Sequence, residues 1–255
     1  MAQSLRDITP DIQSLITEDD TPVDNLPSEK QQRLLTEPLY SSWADAGAGR
    51  PFLAAANVGI FSVARNPAIV PDMFLSLGVQ VADDWWQREQ RSYFVWEFGK
   101  PPDLVLEIVS NKEGEEAGEK KDKYAWMRVS YYVIYDPLQQ VMPEVLTVYR
   151  LRDFVYERQE TTQLPPLKLG LTLWEGTFEG KRDTWLRWTD EHGVIIPTGK
   201  ERAEQERQRA EQERQRAEQE RQRAEQAEQM VVQERQRAEH LVTLLRQSGI
   251  DPDQA

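Results

Sequence analysis

The sequence predicts an α/β domain with a central mixed sheet and few helices, followed by a long charged helix. Helix-like and strand-like segments alternate between residues 25 and 199, which also hold all eight tryptophans and are numerous enough to bury a substantial core. From residue 200 the composition changes to a repeat of Ala, Glu, Gln and Arg. We therefore expect a polar N-terminal arm at 1–24, a globular domain at 25–199, a charged helix at 200–246 and a tail at 247–255.

Hydrophobic spacing and turn residues place the elements of the domain. Pro27-Ser28, followed by Leu34 and Leu35, indicates the start of a first helix, and Asp136-Pro137 should stop a buried strand. The predicted elements, in order, are a helix at 27–39, strands at 57–63, 70–81, 93–98 and 104–109, a helix at 114–128, and strands at 131–135, 145–151, 154–157, 171–174 and 184–188.

The composition limits the chemistry. The 255 residues include no cysteine and only two histidines, His192 and His240, which excludes disulfides, thiolate zinc sites, cysteine nucleophiles and histidine-rich metal sites. Any metal must be held by carboxylates and carbonyls, which favours Mg²⁺, Mn²⁺ or Ca²⁺. Since no run of about 18 apolar residues and no signal-peptide pattern are present, we expect a cytoplasmic protein without a membrane partner.

The net charge of −13 is unevenly distributed. Residues 200–246 hold eleven Glu against ten Arg and one Lys, so this stretch is neutral. Because Asp251 and Asp253 carry two of the thirteen negative charges, residues 1–199 carry the other −11. An acidic body argues against a broad surface for nucleic acid, but not against a local site that works through bound cations.

The charged helix has a seven-residue period. The unit AEQERQR starts at Ala203, Ala210 and Ala217, and seven residues is the coiled-coil repeat. Two apolar positions per heptad occur only near Met230–Leu245. A solvated spacer is the first interpretation and an oligomerising coiled coil the second, whereas a neutral stretch of alternating charge suits nucleic-acid binding poorly.

Glu107 is the most informative residue of the domain. It stands within Leu104–Val109, where apolar residues at both parities predict a strand covered on both faces. A carboxylate there is costly to bury unless a cation, a metal or hydrogen-bond donors meet it. Glu107 is therefore predicted to be a metal ligand or general base, with a structural ion pair as the alternative.

A partner for Glu107 must come from another strand. Asp103 shares its face, but four residues of strand separate the two by roughly 13 Å. Asp72 stands directly ahead of another apolar run and is the best candidate, although a turn residue that caps the strand is an equally simple reading. A lysine of the following helix could reach the carboxylates, unless Lys120, Lys121 and Lys123 only line a solvated face.

These features resemble the Uma2 family, which is assigned to the PD-(D/E)xK restriction-endonuclease-like superfamily. The resemblance rests on two Pro-Asp strands, a Glu in the second, a Lys shortly before a Tyr in the next helix and a strand that ends in Asp-Pro. It covers most of residues 25–190 and is strongest over 70–76 and 101–137. It implies a restriction-endonuclease-like fold, a mixed central sheet flanked by helices.

The resemblance also implies roles for individual residues. The first acidic ligand falls on Asp72 and the central acid on Glu107, while Val109 stands where the superfamily motif has lysine. The Lys-x-x-x-Tyr spacing then selects Lys120, with Lys121 as the alternative, and Glu29 matches a helical Glu that often joins such sites. The implied function is Mg²⁺- or Mn²⁺-dependent hydrolysis of DNA phosphodiester bonds.

Two other functions stay open at this stage. The fold could be catalytically silent and act as a binding or assembly module through its helical tail, with a second copy of the chain as partner. It could also be an unrelated hydrolase that uses carboxylate-held metal. No phosphate-binding loop, dinucleotide fingerprint or serine-nucleophile elbow is present.

Overall fold

The computed structural model of the chain describes residues 25–43, 50–63, 67–110 and 118–247. The predicted N-terminal arm, nearly all of the predicted tail and the predicted start of the second helix at 114–117 lie outside these residues. The chain divides into two compact units, Met1–Gly199 and Lys200–Ala255.

The described residues form helices and strands in an alternating order. The α-helices are α1 (Leu26–Ser42), α2 (Val95–Phe98), α3 (Glu119–Trp126) and α4 (Gly199–Gln247). The strands are β1 (Phe52–Ala55), β2 (Ile60–Phe61), β3 (Met73–Leu77), β4 (Tyr93–Phe94), β5 (Leu104–Ile108), β6 (Tyr131–Tyr135), β7 (Leu146–Arg152), β8 (Val155–Arg158), β9 (Gln163–Leu164), β10 (Leu169–Phe178) and β11 (Lys181–Asp190).

A six-stranded mixed sheet forms the centre of the first unit, which confirms the predicted fold class. Its strand order is β1-β3-β5-β6-β7-β8, with β5 and β6 parallel and every other pair antiparallel. Every residue of β3, β5 and β6 is buried. These central strands are therefore covered on both faces, as their continuous apolar runs predict.

Different elements pack on the two faces of the sheet. Leu106 and Val133 pack in one cluster with Leu35 of α1 and with residues of β10 and β11. Val105 and Tyr132, at the alternate parity, pack in a second cluster with Tyr124 of α3. Because side chains alternate along a strand, Glu107 shares the face of Val105 and is directed toward α3.

Helix α1 is fixed at its start and along its length. Asn25 caps it by accepting a hydrogen bond from the Ser28 amide at 3.0 Å. Gln31 binds the backbone of Leu186 in β11 twice: its amide nitrogen donates to the carbonyl at 2.8 Å and its oxygen accepts from the amide at 3.0 Å. These bonds set the rotation of the helix, so that the next residue, Gln32, is directed away from Leu186 and toward Asp72.

Three predicted strands are shorter than expected. The strand predicted at 57–63 is reduced to β2, since Asn57 adopts a left-handed φ of 53° that no strand continues. The strand predicted at 93–98 is wrong beyond Phe94: the chain turns into α2, which Gly99 ends with a φ of 73°. The strand predicted at 70–81 is reduced to the five residues of β3, which is followed by Gly78, also at φ 73°.

The C-terminal strands do not complete the central sheet. They run longer than predicted, ten residues each, and form a separate three-stranded sheet in the order β11-β10-β9. The hydrophobic pattern predicts that these segments are strands, but it does not predict the strands with which they pair.

The second unit contains α4, a 49-residue helix with exposed side chains along nearly its whole length. Ion pairs three or four residues apart line its surface, among them Glu204–Arg207 at 2.8 Å and Arg221–Glu225 at 2.9 Å. Such exposed pairs each support a helix by roughly 0.2–0.5 kcal/mol. None of the described helices has the length and apolar character needed to cross a membrane.

Candidate active site

The sheet register brings Asp72 and Glu107 together. In the antiparallel β3–β5 pair, Met73 lies opposite Leu106 and Phe74 opposite Val105. Continuing this register by one residue sets Asp72 opposite Glu107. Directly opposed residues share a face, with Cβ atoms roughly 4.5–5.5 Å apart. The two carboxylates that the sequence predicts as partners are therefore cross-strand neighbours.

Asp72 is held in place by two different elements. Its Oδ2 accepts a hydrogen bond from the Ile108 amide at 2.6 Å, and its Oδ1 accepts one from Gln32 Nε2 at 3.1 Å. Gln32 and Asn57 also exchange side-chain hydrogen bonds of 3.1 and 3.3 Å. The first carboxylate thus joins the end of β5 to helix α1.

Glu107 is 1% exposed and receives two donors from α3. Lys120 Nζ donates to its Oε2 at 2.9 Å, and the Tyr124 hydroxyl donates to its Oε1 at 2.7 Å. Lys120 and Tyr124 lie four residues apart, so they share one face of the helix. The Lys-x-x-x-Tyr spacing noted in the sequence therefore places two donors of α3 on one buried carboxylate.

Burial dominates the electrostatics of this cluster. It raises the pKa of Glu107 from 4.5 to about 8; the positive charge of Lys120 opposes the rise and the negative charge of Asp72 adds to it. The pKa of the Tyr124 hydroxyl is raised well above its ordinary value, first by burial and then by the neighbouring Glu107. Carboxyls with raised pKa values and named charge partners are common at functional sites.

Three other candidate residues lie away from this pair. Glu29 forms an ion pair with Arg33 at 2.7 Å, and both side chains are about half exposed. Asp103 lies ahead of the first residue of β5, at the far end of the strand from Glu107, where it binds Lys100. Lys121 Nζ lies 3.8 Å from the ring centroid of Tyr149 instead of reaching a carboxylate, and burial lowers its pKa.

Gln32 and Asn57 are site residues that sequence reasoning missed. Helix α1 does contribute a side chain to the carboxylates, but from Gln32, three residues beyond the predicted Glu29. The signal in the sequence was a pair of glutamines, Gln31 and Gln32, separated from Leu34 and Leu35 only by Arg33; all four side chains are buried. Polar residues at such positions need partners when they are buried.

The donor set fits a hard divalent cation. Carboxylate and amide oxygens are the ligands that Mg²⁺ and Mn²⁺ prefer, and Mg²⁺ commonly uses one or two carboxylates and keeps several waters. Within the described residues no group of three or more Asp, Glu, His or Cys is placed to hold a metal. Asp72 and Glu107 are the two carboxylates at this position, and a carboxylate oxygen has two lone pairs, so it can accept a protein donor and also face a metal.

Two family profiles match parts of the chain. The profile of the Uma2 family, described as "Putative restriction endonuclease", matches residues 19–178, more than half of the chain. A second profile, described as a Helicobacter pylori protein of unknown function, DUF874, matches residues 184–245, which include most of α4. Comparison with curated proteins gives no match.

Proposed function

The chain belongs to the Uma2 family, and we propose on that basis that it is a Mg²⁺- or Mn²⁺-dependent endonuclease that hydrolyses DNA phosphodiester bonds. One observation carries the proposal: two carboxylates from opposed strands meet beside a lysine. Asp72 lies opposite Glu107, whose Oε2 is 2.9 Å from Lys120 Nζ. In metal-assisted phosphodiester hydrolysis two acids can hold the divalent ion and a lysine can stabilise the charge that develops on the phosphate.

The proposed roles follow from the positions of the side chains. Asp72 and Glu107 would hold the divalent ion. When bound, such an ion lowers the pKa of a coordinated water and offsets charge on the attacked phosphate. Lys120 orients the attacking water and donates to the oxyanion that develops on phosphorus. Tyr124 and Gln32 are positioning residues, because each fixes a carboxylate without reaching the substrate itself.

The acidic body bears on how DNA would approach. Residues 1–199 carry −11, so the domain lacks the basic excess of a protein that coats DNA. A divalent ion between Asp72 and Glu107 would offset this charge locally, at the position where a phosphate must enter. We therefore expect DNA binding to depend on the metal as well as on the salt concentration.

A plasmid-nicking assay with Mg²⁺ or Mn²⁺ tests the proposal. The variants are Glu107→Gln and Lys120→Met, and the matched control is Lys123→Met, since Lys123 is on the same helix but pairs with Glu119 on the surface. We expect the two site variants to lose roughly 10²–10³-fold in rate, as when one transition-state donor is removed. Metal-dependent nicking that survives both substitutions would show that the chemistry lies elsewhere.

A catalytically silent domain is the second candidate, and two observations favour it. Val109 stands where the superfamily motif has lysine, and both oxygens of Glu107 already accept protein donors. Under this alternative the domain is a binding or assembly module and α4 recruits a second copy of the chain. Absence of cleavage on duplex, nicked and single-stranded DNA would favour it, whereas hydrolysis of phosphomonoesters alone would favour an unrelated hydrolase.

A further inference from the structure

A polar cavity lies at the opposite end of β5 from Glu107. It has a volume of about 630 Å³ and is lined by Asp103 and Tyr131, where β5 and β6 begin, and by Arg50, Lys100 and Arg150. Asp103 is four residues from Glu107, a separation of roughly 13 Å along an extended strand. This cavity is therefore separate from the carboxylate site, which lies where β5 ends.

The cavity is locally positive in a strongly acidic unit. Lys100 Nζ contacts Asp103 Oδ2 at 2.5 Å and the Leu77 carbonyl at 3.0 Å, so this lysine and this aspartate neutralise each other. Among the described residues, neither Arg50 nor Arg150 forms an ion pair. Two guanidinium groups thus remain available in a unit whose residues carry −11 in total.

Tyr131 contributes a second, independent observation. It lines the cavity and is 3% exposed, and its buried hydroxyl has no hydrogen-bond partner in the described part of the chain. The Arg150 guanidinium lies 5.9 Å from the centre of its ring. Buried hydroxyls without a partner are uncommon, so this hydroxyl marks an unsatisfied polar position within a residue of the cavity wall.

We propose that this cavity binds a phosphate-bearing ligand of up to nucleotide size. Guanidinium groups match phosphate oxygens in charge and in fork geometry, so Arg50 and Arg150 would take the phosphate. The volume falls within the range of small-molecule sites, and Leu77 and Leu167 offer an apolar wall for the rest of the ligand. The inference does not depend on the proposed nuclease activity.

Calorimetric titration of the full chain in EDTA tests the proposal, with inorganic phosphate, pyrophosphate and ADP as probes. The test variant is Arg50→Gln with Arg150→Gln. Arg182→Gln is the matched control, because Arg182 is an exposed arginine of the first unit outside the cavity. We expect ADP or pyrophosphate affinity to fall at least ~10-fold in the double variant, which is the effect of about 1.4 kcal/mol. The affinity should be unchanged in Arg182→Gln and Glu107→Gln.

A DNA arm distinguishes the source of the phosphate. Oligonucleotide binding that weakens in the double variant, without binding of free phosphates, would assign the cavity to the DNA backbone and would still support a phosphate site. The exposed Arg50→Gln single variant keeps the test valid if the double variant fails to fold. The proposal is overturned if neither the three free phosphate probes nor the oligonucleotide binds at millimolar concentration, or if binding is equal in wild type and the arginine variants.

Discussion

Asp72, directly ahead of β3, accepts a hydrogen bond from the amide of the residue that follows Glu107 in β5, and each of the two carboxylates is also bound by a different helix. Gln32 of α1 donates to Asp72, and Lys120 of α3 donates to Glu107. The two helices pack on opposite faces of the sheet. The candidate site is therefore where the sheet meets both α1 and α3. A substitution in either helix should remove a hydrogen bond from one carboxylate and leave the hydrogen bond from the other helix in place.

Glu107→Gln should change how stability depends on pH. A carboxyl whose pKa rises on folding, here from 4.5 to about 8, binds its proton more tightly in the folded state. Its contribution to the free energy of unfolding is therefore fully present below about pH 4.5, declines as the pH rises and is lost above about pH 8. Urea titrations in EDTA should show wild type losing stability relative to Glu107→Gln across this range, by a few kcal/mol.

Glu119→Gln is the control for this prediction. Glu119 is an exposed carboxylate on the same helix as Lys120, and its ion pair with Lys123 is on the surface. Its removal should leave the pH profile of unfolding as in wild type. A profile that is also unchanged in Glu107→Gln would show that the pKa of Glu107 does not rise on folding, because Lys120 and Tyr124 offset its burial.

Tyr124→Phe should shift the pH dependence of stability toward higher pH. The Tyr124 hydroxyl lowers the pKa of Glu107 by donating to its carboxylate, so its removal raises that pKa further. It also leaves a buried acceptor with one donor fewer, which costs roughly 1–3 kcal/mol. Tyr156→Phe is the matched control, since it removes a buried hydroxyl that donates to the Val129 carbonyl. Both variants should lose stability, but only Tyr124→Phe should move the pH profile. Equal profiles would contradict an effect of the Tyr124 hydroxyl on the pKa of Glu107.

Physical patterns in the sequence predict Asp72 and Glu107 as partners, whereas Lys120 is predicted by the family resemblance. A carboxylate inside a run of apolar residues is conspicuous in any strand that is covered on both faces, and Glu107 is 1% exposed. Strand β6 ends at Tyr135 as predicted, because Asp136 accepts hydrogen bonds from the backbone amides of Gln140, Val141 and Met142 and so closes a turn. Local patterns of this kind need no knowledge of the rest of the chain.

The features that were missed depend on distant partners. Gln32 reaches Asp72 only because α1 crosses the sheet at a particular rotation, set by the bonds between Gln31 and Leu186. The separate sheet of β9, β10 and β11 depends on a choice of partner between strands. Helix α2 interrupts a run of strand-forming residues because Gly99 supplies a left-handed end to its single turn. None of these interactions is visible in a window of neighbouring residues.

Gln32→Ala should weaken the metal site through Asp72 alone. The substitution removes the donor to Asp72 Oδ1 and the partner of Asn57, so we expect a loss of roughly 1–3 kcal/mol in stability and a weaker affinity for Mn²⁺. Tyr156→Phe is the control: it removes a buried hydrogen bond to the Val129 carbonyl, which involves neither α1 nor Asp72, and should destabilise the domain without changing metal affinity. Equal Mn²⁺ affinities by calorimetry in the two variants would contradict a positioning role for Gln32.

Self-association through α4 should depend on one seam of that helix. Val231 and Leu241 occupy the two heptad positions and are 66% and 53% exposed, whereas Val232 lies off the seam and is 50% exposed. Since apolar residues in contact must repeat at both positions, Val231→Glu with Leu241→Glu should convert an oligomeric full chain to a monomer. Val232→Glu adds the same charge on another face and should leave the mass measured by light scattering unchanged. Equal masses for both variants, or a monomeric wild type at about 100 µM, would favour the spacer interpretation. The physical reason would be that alanine and Glu234 occupy much of the seam and bury too little apolar surface to hold two helices together.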